Sequence, residues 1–208
     1  MNILSIDVGI INLAIVGILL ADDYLERDEI IKFEEIFLCE LVDITELMRD
    51  CDDTSCEFCH DKIICDYMMH LFKKYQVEFA TADLILIERQ PLIGNVAVQE
   101  LIMREYRKKS KLISPTAMLN FFGILHYEYE ERKVHTVKIA TKYLNGFKSF
   151  VFNTRKHDLS DALCILYYHL SMERKKYMEN KIKEENKIKF SKLISDLEQF
   201  RYTGSFKI

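Results

Sequence analysis

Ile, Val and Leu dominate the opening segment MNILSIDVGIINLAIVGILL, which is interrupted around Gly9 and Asn12. Two apolar runs flanking a glycine predict two strands joined by a tight turn, the first ending at Asp7. Residues 21–50 are strongly acidic, and apolar side chains alternate with charges in IIKFEEIFLCELVDI (30–44), which predicts a third strand followed by a loop. Ile63, Ile64, Tyr67, Met68, Leu71 and Phe72 recur at helical spacing and predict a helix over 63–75. The run DLILIERQP is wholly apolar until a charge and a proline stop it, as in a buried parallel strand ending at Glu88.

After Pro91 the pattern predicts a helix to about Lys109, a short strand at LISP (112–115), and helices over 116–131 and 134–145. Phe121, Phe122 and Tyr127 are expected in the core. Asn153 or Thr154 can cap a following helix whose inner face is Leu159, Ala162, Leu163, Leu166, Tyr167 and Leu170. From Met172 to Lys192 eight basic and four acidic residues predict an exposed helix. Strands that first follow one another and then alternate with helices predict a three-layer α/β/α domain over 1–170. A Cys-rich insertion (51–70) and a basic helical extension (171–208) complete the expected organisation.

With 208 residues, 49% hydrophobic, the chain can bury a sizeable core, which excludes a disordered tail or a disulfide-dependent miniprotein. No apolar run reaches the roughly 18–20 residues of a membrane span, and no basic leader precedes Ile10–Leu20. A soluble, intracellular protein with no membrane partner is expected. The net charge of -4 hides an asymmetry. Residues 1–100 carry 21 acidic and 7 basic side chains, net -14, and residues 101–208 carry 12 and 22, net +10. Any face for a polyanion should therefore come from the second half.

Four carboxylates stand out. Asp7 and Glu88 each end a predicted strand, and Asp158 and Asp161 lie three apart on one helix, beside its buried side. Singly, each has an ordinary explanation as a turn residue, a strand-end acid or a helix N-terminal acid. Together they suit hard divalent cations, which take carboxylate oxygens and can hold both the attacking and leaving oxygens of a phosphodiester displacement.

Their order and surroundings resemble the RNase H-like resolvases, above all the poxvirus and iridovirus Holliday junction resolvases related to bacterial RuvC and the fungal mitochondrial enzymes. The stretches that carry the resemblance are SIDVGIINLA (5–14), ADLILIERQP (82–91), LISP (112–115), ERK (131–133) and RKHDLSDAL (155–163). They span most of residues 1–170, and the tail after about Met172 has no counterpart. The resemblance implies an RNase H-like fold with a central mixed sheet. It also implies a homodimeric nuclease holding Mg²⁺ or Mn²⁺, two ions per site, on Asp7, Glu88, Asp158 and Asp161. Each subunit would nick one strand of a four-way DNA junction, leaving a 5′ phosphate and a ligatable nick. A viral protein acting where viral DNA replicates and recombines is the implied setting. The family pattern also has a basic residue between the second and third acids: Lys133 is the first choice and Lys138 the second. His157 could orient water or phosphate, although a helix-start histidine is often only structural.

Five of the six cysteines fall between Cys39 and Cys65. Cys51, Cys56, Cys59, His60, Cys65 and His70 have the density of a structural Zn²⁺ site that would use four of them, and a C-x-x-C-H here is similar to iridovirus-type resolvases. Spacing does not fix the fourth ligand, and buried unliganded cysteines are the alternative. For DNA, Arg104, Arg107, Lys108, Lys109 and Lys111 are candidate phosphate contacts, and Tyr106 could stack on an unpaired base. Rival readings are RNA–DNA hybrid cleavage, a transposase-like activity, an actin-like phosphotransferase opening with D-x-G, and a zinc-dependent nucleic-acid-binding module without catalysis.

Overall fold

The computed structural model describes residues 1–51 and 55–203, without the side chains of 199, 200, 202 and 203. Five strands form one mixed sheet: β1 (Asn2–Asp7), β2 (Leu13–Leu19), β3 (Ile36–Val42), β4 (Leu84–Glu88) and β5 (Ser110–Ile113), in the order β3-β2-β1-β4-β5. The pairs β1–β2 and β2–β3 are antiparallel, whereas β4 runs parallel to both β1 and β5. Glu88 thus ends its strand at the same edge as Asp7, because Ile6 pairs with Ile87.

The period-2 alternation of β1 sorts its side chains onto two faces. Leu4, Ile6 and Val8 enter a core completed by α1 (Ile44–Arg49), α2 (Ile64–Lys74), α3 (Gln76–Thr81) and α4 (Val96–Glu105). Ile3, Ser5 and Asp7 face the other way, and the buried Ser5 hydroxyl donates to the Ala162 carbonyl at 2.7 Å. That bond holds the part of α8 (Lys156–Thr203) up to His169 against the sheet, where Leu159, Ala162, Leu163 and Leu166 are buried as expected. The other elements are α5 (Pro115–Phe121), α6 (Tyr129–Leu144) and α7 (Lys148–Val151), whose Ser149 hydroxyl donates to the Cys39 carbonyl of β3. The result is the RNase H-like three-layer α/β arrangement with a central mixed sheet that the sequence predicts, with a Cys-rich segment and a long C-terminal helix.

Several boundaries differ from the sequence reading. The helix expected from Pro91 to Lys109 is limited to Val96–Glu105, with a turn before it and a 3₁₀ turn at Arg107–Lys109 after it. The strand expected at 112–115 begins at Ser110 and stops at Ile113, because Ser114 caps α5 by accepting from the Ala117 N–H and Pro115 opens the helix. The break between the two helices expected over 116–145 falls earlier than predicted. Gly123 has φ +72°, open to glycine without strain, and α6 then runs unbroken from Tyr129. Phe121 consequently closes α5 with 42% of its surface exposed, Phe122 and Tyr127 are only half-buried, and Ile124 takes the buried position.

The Asn153 side chain accepts from the Arg155 N–H at 2.8 Å just before α8. The chain divides into two compact units, Met1–His169 and Leu170–Ile208, and α8 crosses the boundary. In the second unit α8 carries (i, i+3) pairs such as Lys176–Glu173 and Lys187–Glu184. Residues 204–208 of the expected extension lie outside the described residues. Among the described residues no helix is long and apolar enough to cross a membrane.

Candidate active site

Asp7 leaves β1 into a turn that only glycine fits. A Cβ on Gly9 would lie 2.5 Å from the Asn12 carbonyl oxygen, so the chain can double back into β2 this sharply only without one. Glu88 ends β4 next to it. Asp158 and Asp161, one turn apart on α8, approach from the outer layer.

The four acids meet. Asp7 is pushed well above the usual carboxylate range by burial first, then by the charges of Glu88 and Asp161, a hydrogen bond with Glu88 and the charge of Asp158. Burial likewise pushes Asp161 up to about 7, against a hydrogen bond from Thr136, with Glu88 and Asp158 raising it further. Four acids gathered with so much mutual repulsion form a donor set that needs a positive counter-charge. All-oxygen ligands at a solvent-reachable edge fit a hard divalent cation such as Mg²⁺ or Mn²⁺.

Two clefts open onto these carboxylates. One, of about 200 Å³, is lined by Glu88 and Asp161 with Tyr129, Arg132, Lys133 and Thr136. The other holds Asp7 and Asp158 with Asn12, Asn95 and Arg155. Lys133 therefore stands at the site: its Nζ lies 4.1 Å over the Tyr129 ring and 3.6 Å from Glu130, and its charge counters the raised pKa of Asp161. Lys138 does not. It lines a separate groove with Phe121, Phe122 and Tyr143.

His157 Nε2 lies 3.2 Å from Asp158 Oδ1 but makes no hydrogen bond there. Burial holds its pKa below the usual histidine value, helped by the nearby charges of Lys133 and Arg155 and opposed by Asp158.

Some of the site's residues escaped the sequence reading. Arg155 Nε donates to Asp158 Oδ2 at 2.8 Å. Gln90 Nε2 donates to Glu88 Oε2 at 2.7 Å, and the buried Gln99 accepts from the Gln90 backbone N–H at 2.8 Å, so two glutamines orient the Glu88 carboxylate. Asn95 Nδ2 reaches the Val8 carbonyl at 3.4 Å and ties the loop after β4 to the loop after β1. Arg155 and Gln90 lie inside RKHD and ERQP and could have been singled out there. Thr136 and Gln99 carry no local signal. Beside Gln90, Leu92 and Ile93 are 97% and 98% exposed, two large apolar side chains projecting from the loop that borders the acids.

The predicted phosphate-contact segment is not brought to this edge. Ser110 pairs with Ile85 at the start of β4, and Ile113 pairs with Glu88 at its end. Arg107, Lys108 and Lys109 precede Ser110, so they sit at the opposite end of the strands from the carboxylates. Several members also have other partners. Tyr106 stacks on Phe79 (centroids 4.9 Å, planes 9° apart) and meets Phe72 edge-on, so its ring packs against the core instead of waiting for a base. Lys109 Nζ donates to the Phe79 and Ala80 carbonyls near the end of α3, and Lys111 Nζ lies 3.4 Å from His169 Nδ1. Arg104, Arg107 and Lys108 line a shallow groove at this far end.

Of the six proposed zinc ligands, the structure gathers four. Ligand atoms of Cys51, Cys56, His60 and His70 all lie within 4.8 Å of one another and could hold a metal ion. Cys59 and Cys65 are exposed and stand outside the group, because α2 and the turn before it present them to solvent.

No protein-family model matches the chain, and no curated protein is similar to it in sequence. Solved structures are similar in fold. The yeast mitochondrial Holliday junction resolvase Ydc2 superposes with a TM-score of 0.55 at 17% identity, over 88% of this chain and 85% of that one. The fowlpox virus resolvase, solved with substrate Holliday junction DNA, gives 0.54 at 16% identity, over 83% of this chain and 98% of that one. At such identities the likeness is one of backbone architecture, which depends on layer packing far more than on side-chain chemistry. The fold of this chain is that of the Holliday junction resolvases.

Proposed function

We propose that the chain is a metal-dependent, structure-selective endodeoxyribonuclease that resolves four-way DNA junctions. The observation that carries this reading is the convergence of Asp7, Glu88, Asp158 and Asp161, from three separate elements, at the edge where the parallel strands end. The likeness to junction resolvases in fold supports the choice of substrate.

In this reading the four carboxylates hold one or two Mg²⁺ or Mn²⁺ ions. Bound there, the cations would activate the attacking water and stabilise the departing 3′ oxygen. Gln90 and Gln99 keep Glu88 aimed at the site. Arg155 leaves Asp158 for a phosphate oxygen when DNA arrives, and Lys133, at the rim of the neighbouring cleft, offsets charge gathering on the scissile phosphate. His157, neutral beside Asp158, would orient water or phosphate. Leu92 and Ile93 press against unstacked bases at the branch point, where apolar side chains gain most by leaving water.

Paired symmetric nicks need two such sites facing one junction, hence a homodimer. The similarity to the fowlpox enzyme supports a role in clearing branched intermediates of viral DNA replication and recombination.

The test is cleavage of a synthetic four-way junction with Mg²⁺, beside linear duplex and an RNA–DNA hybrid, using wild type and Glu88→Gln. Paired nicks in the junction alone, lost in the variant, are expected. Hybrid cleavage would keep the carboxylates and overturn the substrate. No cleavage of any of the three would overturn the enzyme reading in favour of a binding module.

A further inference from the structure

We propose that Cys51, Cys56, His60 and His70 form a Cys₂His₂ site for one structural Zn²⁺ ion, distinct in chemistry from the carboxylate site. In a tetrahedral zinc site with Zn–N about 2.0–2.1 Å and Zn–S about 2.3 Å, neighbouring nitrogens lie about 3.3 Å apart and nitrogen–sulfur pairs about 3.6 Å. Here His60 Nε2 and His70 Nε2 are 3.2 Å apart, and Cys56 Sγ lies 3.6 Å from His70 Nε2. Both edges have the lengths of a zinc tetrahedron.

The tautomer is set as well. His70 Nδ1 lies 2.6 Å from the Asp66 carbonyl, an acceptor, so Nδ1 carries the proton and Nε2 presents its lone pair to the centre. The His70 lone pair, His60 Nε2 and two thiol sulfurs converge on one point, where a shared cation stabilises them more than the weak sulfur hydrogen bonds do. Soft sulfur with imidazole selects zinc, whereas Mg²⁺ takes oxygen ligands.

The surrounding segment is tied to α2 by surface contacts, a Glu57–Lys73 ion pair at 2.7 Å and Phe58 meeting His70 edge-on with Lys73 over its face. Among the described residues from Cys51 to Ile63 none is buried, and Ile63 is exposed. Lys62 nevertheless adopts φ +59°, a conformation that a lysine holds only when its neighbours impose it. The Phe58 N–H points to Cys56 Sγ at 3.5 Å, and the Asp61 N–H donates to Asp66 Oδ2 at 2.8 Å, which folds the loop back onto α2. His70 comes from α2, whose Met68 and Leu71 are core residues, and Cys51 follows the end of α1. The ion would therefore fasten an unpacked loop, and the end of α1, to a helix the core already holds. A metal that binds only the folded loop stabilises it by its own binding free energy.

The experiment is metal analysis of the full-length chain purified under reducing conditions, followed by Co²⁺ substitution. One zinc per chain and the visible absorption of tetrahedral Co²⁺ with thiolate charge transfer are expected. Cys59→Ser and Cys65→Ser should keep full stoichiometry, and Cys51→Ser should lose it. His60→Cys should still load Co²⁺, with charge-transfer intensity raised by about half as thiolates go from two to three; this arm needs no folded apoprotein. Reduced wild type without zinc, loss in Cys59→Ser, or a His60→Cys spectrum like wild type would each overturn the assignment.

Discussion

Replacing Asp161 with asparagine should make the metal-free protein more stable while destroying its activity. In the folded chain Asp161 titrates at about 7, chiefly because it is buried, whereas an unfolded aspartate titrates near 3.9. The folded state thus binds the extra proton across roughly pH 4–7, and stability falls as pH rises through that window. Below about pH 4 both states carry a neutral acid and no penalty exists; above about pH 7 the penalty is complete. A difference of about 3 units corresponds to roughly 4 kcal/mol at pH 8, an upper bound because Asp7 and Glu88 share the same field.

Asparagine removes the charge at nearly the same size, so Asp161→Asn should gain roughly 1–4 kcal/mol at pH 8. Urea unfolding with excess magnesium-selective chelator at pH 8 and pH 5 reads this directly, as a higher midpoint at unchanged slope. The gain should shrink to about a third of that at pH 5, where folded wild type is protonated but an unfolded aspartate is still mostly ionised. It should also shrink in saturating Mg²⁺, which stabilises only the intact carboxylate set. A variant no more stable than wild type at pH 8, or a gain independent of pH, would refute the account of a charge-crowded site.

Lys133→Met and Arg155→Ala should each lower single-turnover junction cleavage about 10²–10³-fold with binding changed only a few-fold; equal loss of both would place them in binding alone. Leu92→Ser combined with Ile93→Ser should weaken binding to junctions but leave binding to linear duplex unchanged, as measured by competition at fixed salt; parallel losses would remove the branch-point role. Arg107→Ala with Lys108→Ala should leave the cleavage rate within about twofold, because these residues lie at the far end of the strands, and a large drop in single-turnover rate would contradict that placement. Ser5→Ala should cost about 1 kcal/mol in denaturant unfolding by removing a buried hydrogen bond to the Ala162 carbonyl, and a neutral result would mean that the start of α8 is held by its apolar face alone.

The sequence by itself determined the layers and the acids. Apolar runs flanking Gly9 placed Asp7 at a strand end, and the wholly apolar run ending in Glu88 marked a buried strand, because strand patterning is a local property of the chain. The spacing of Asp158 and Asp161 put them on one side of a helix for the same reason. Only the tertiary structure decided which end of the sheet each polar cluster occupies. The basic run 104–111 follows the Glu88 strand closely in sequence, yet α4 carries the chain back across the sheet, because a parallel strand must begin where its neighbour begins. The choice of Cys51 over Cys59 also lay beyond spacing, since coordination depends on where α1 and α2 bring residues separated by loops of irregular path. The residue behind Gln90 and the one beside Asp161 were hidden likewise. Gln99 and Thr136 stand on other helices, and a side chain that orients a carboxylate across layers has no signature in its own neighbourhood.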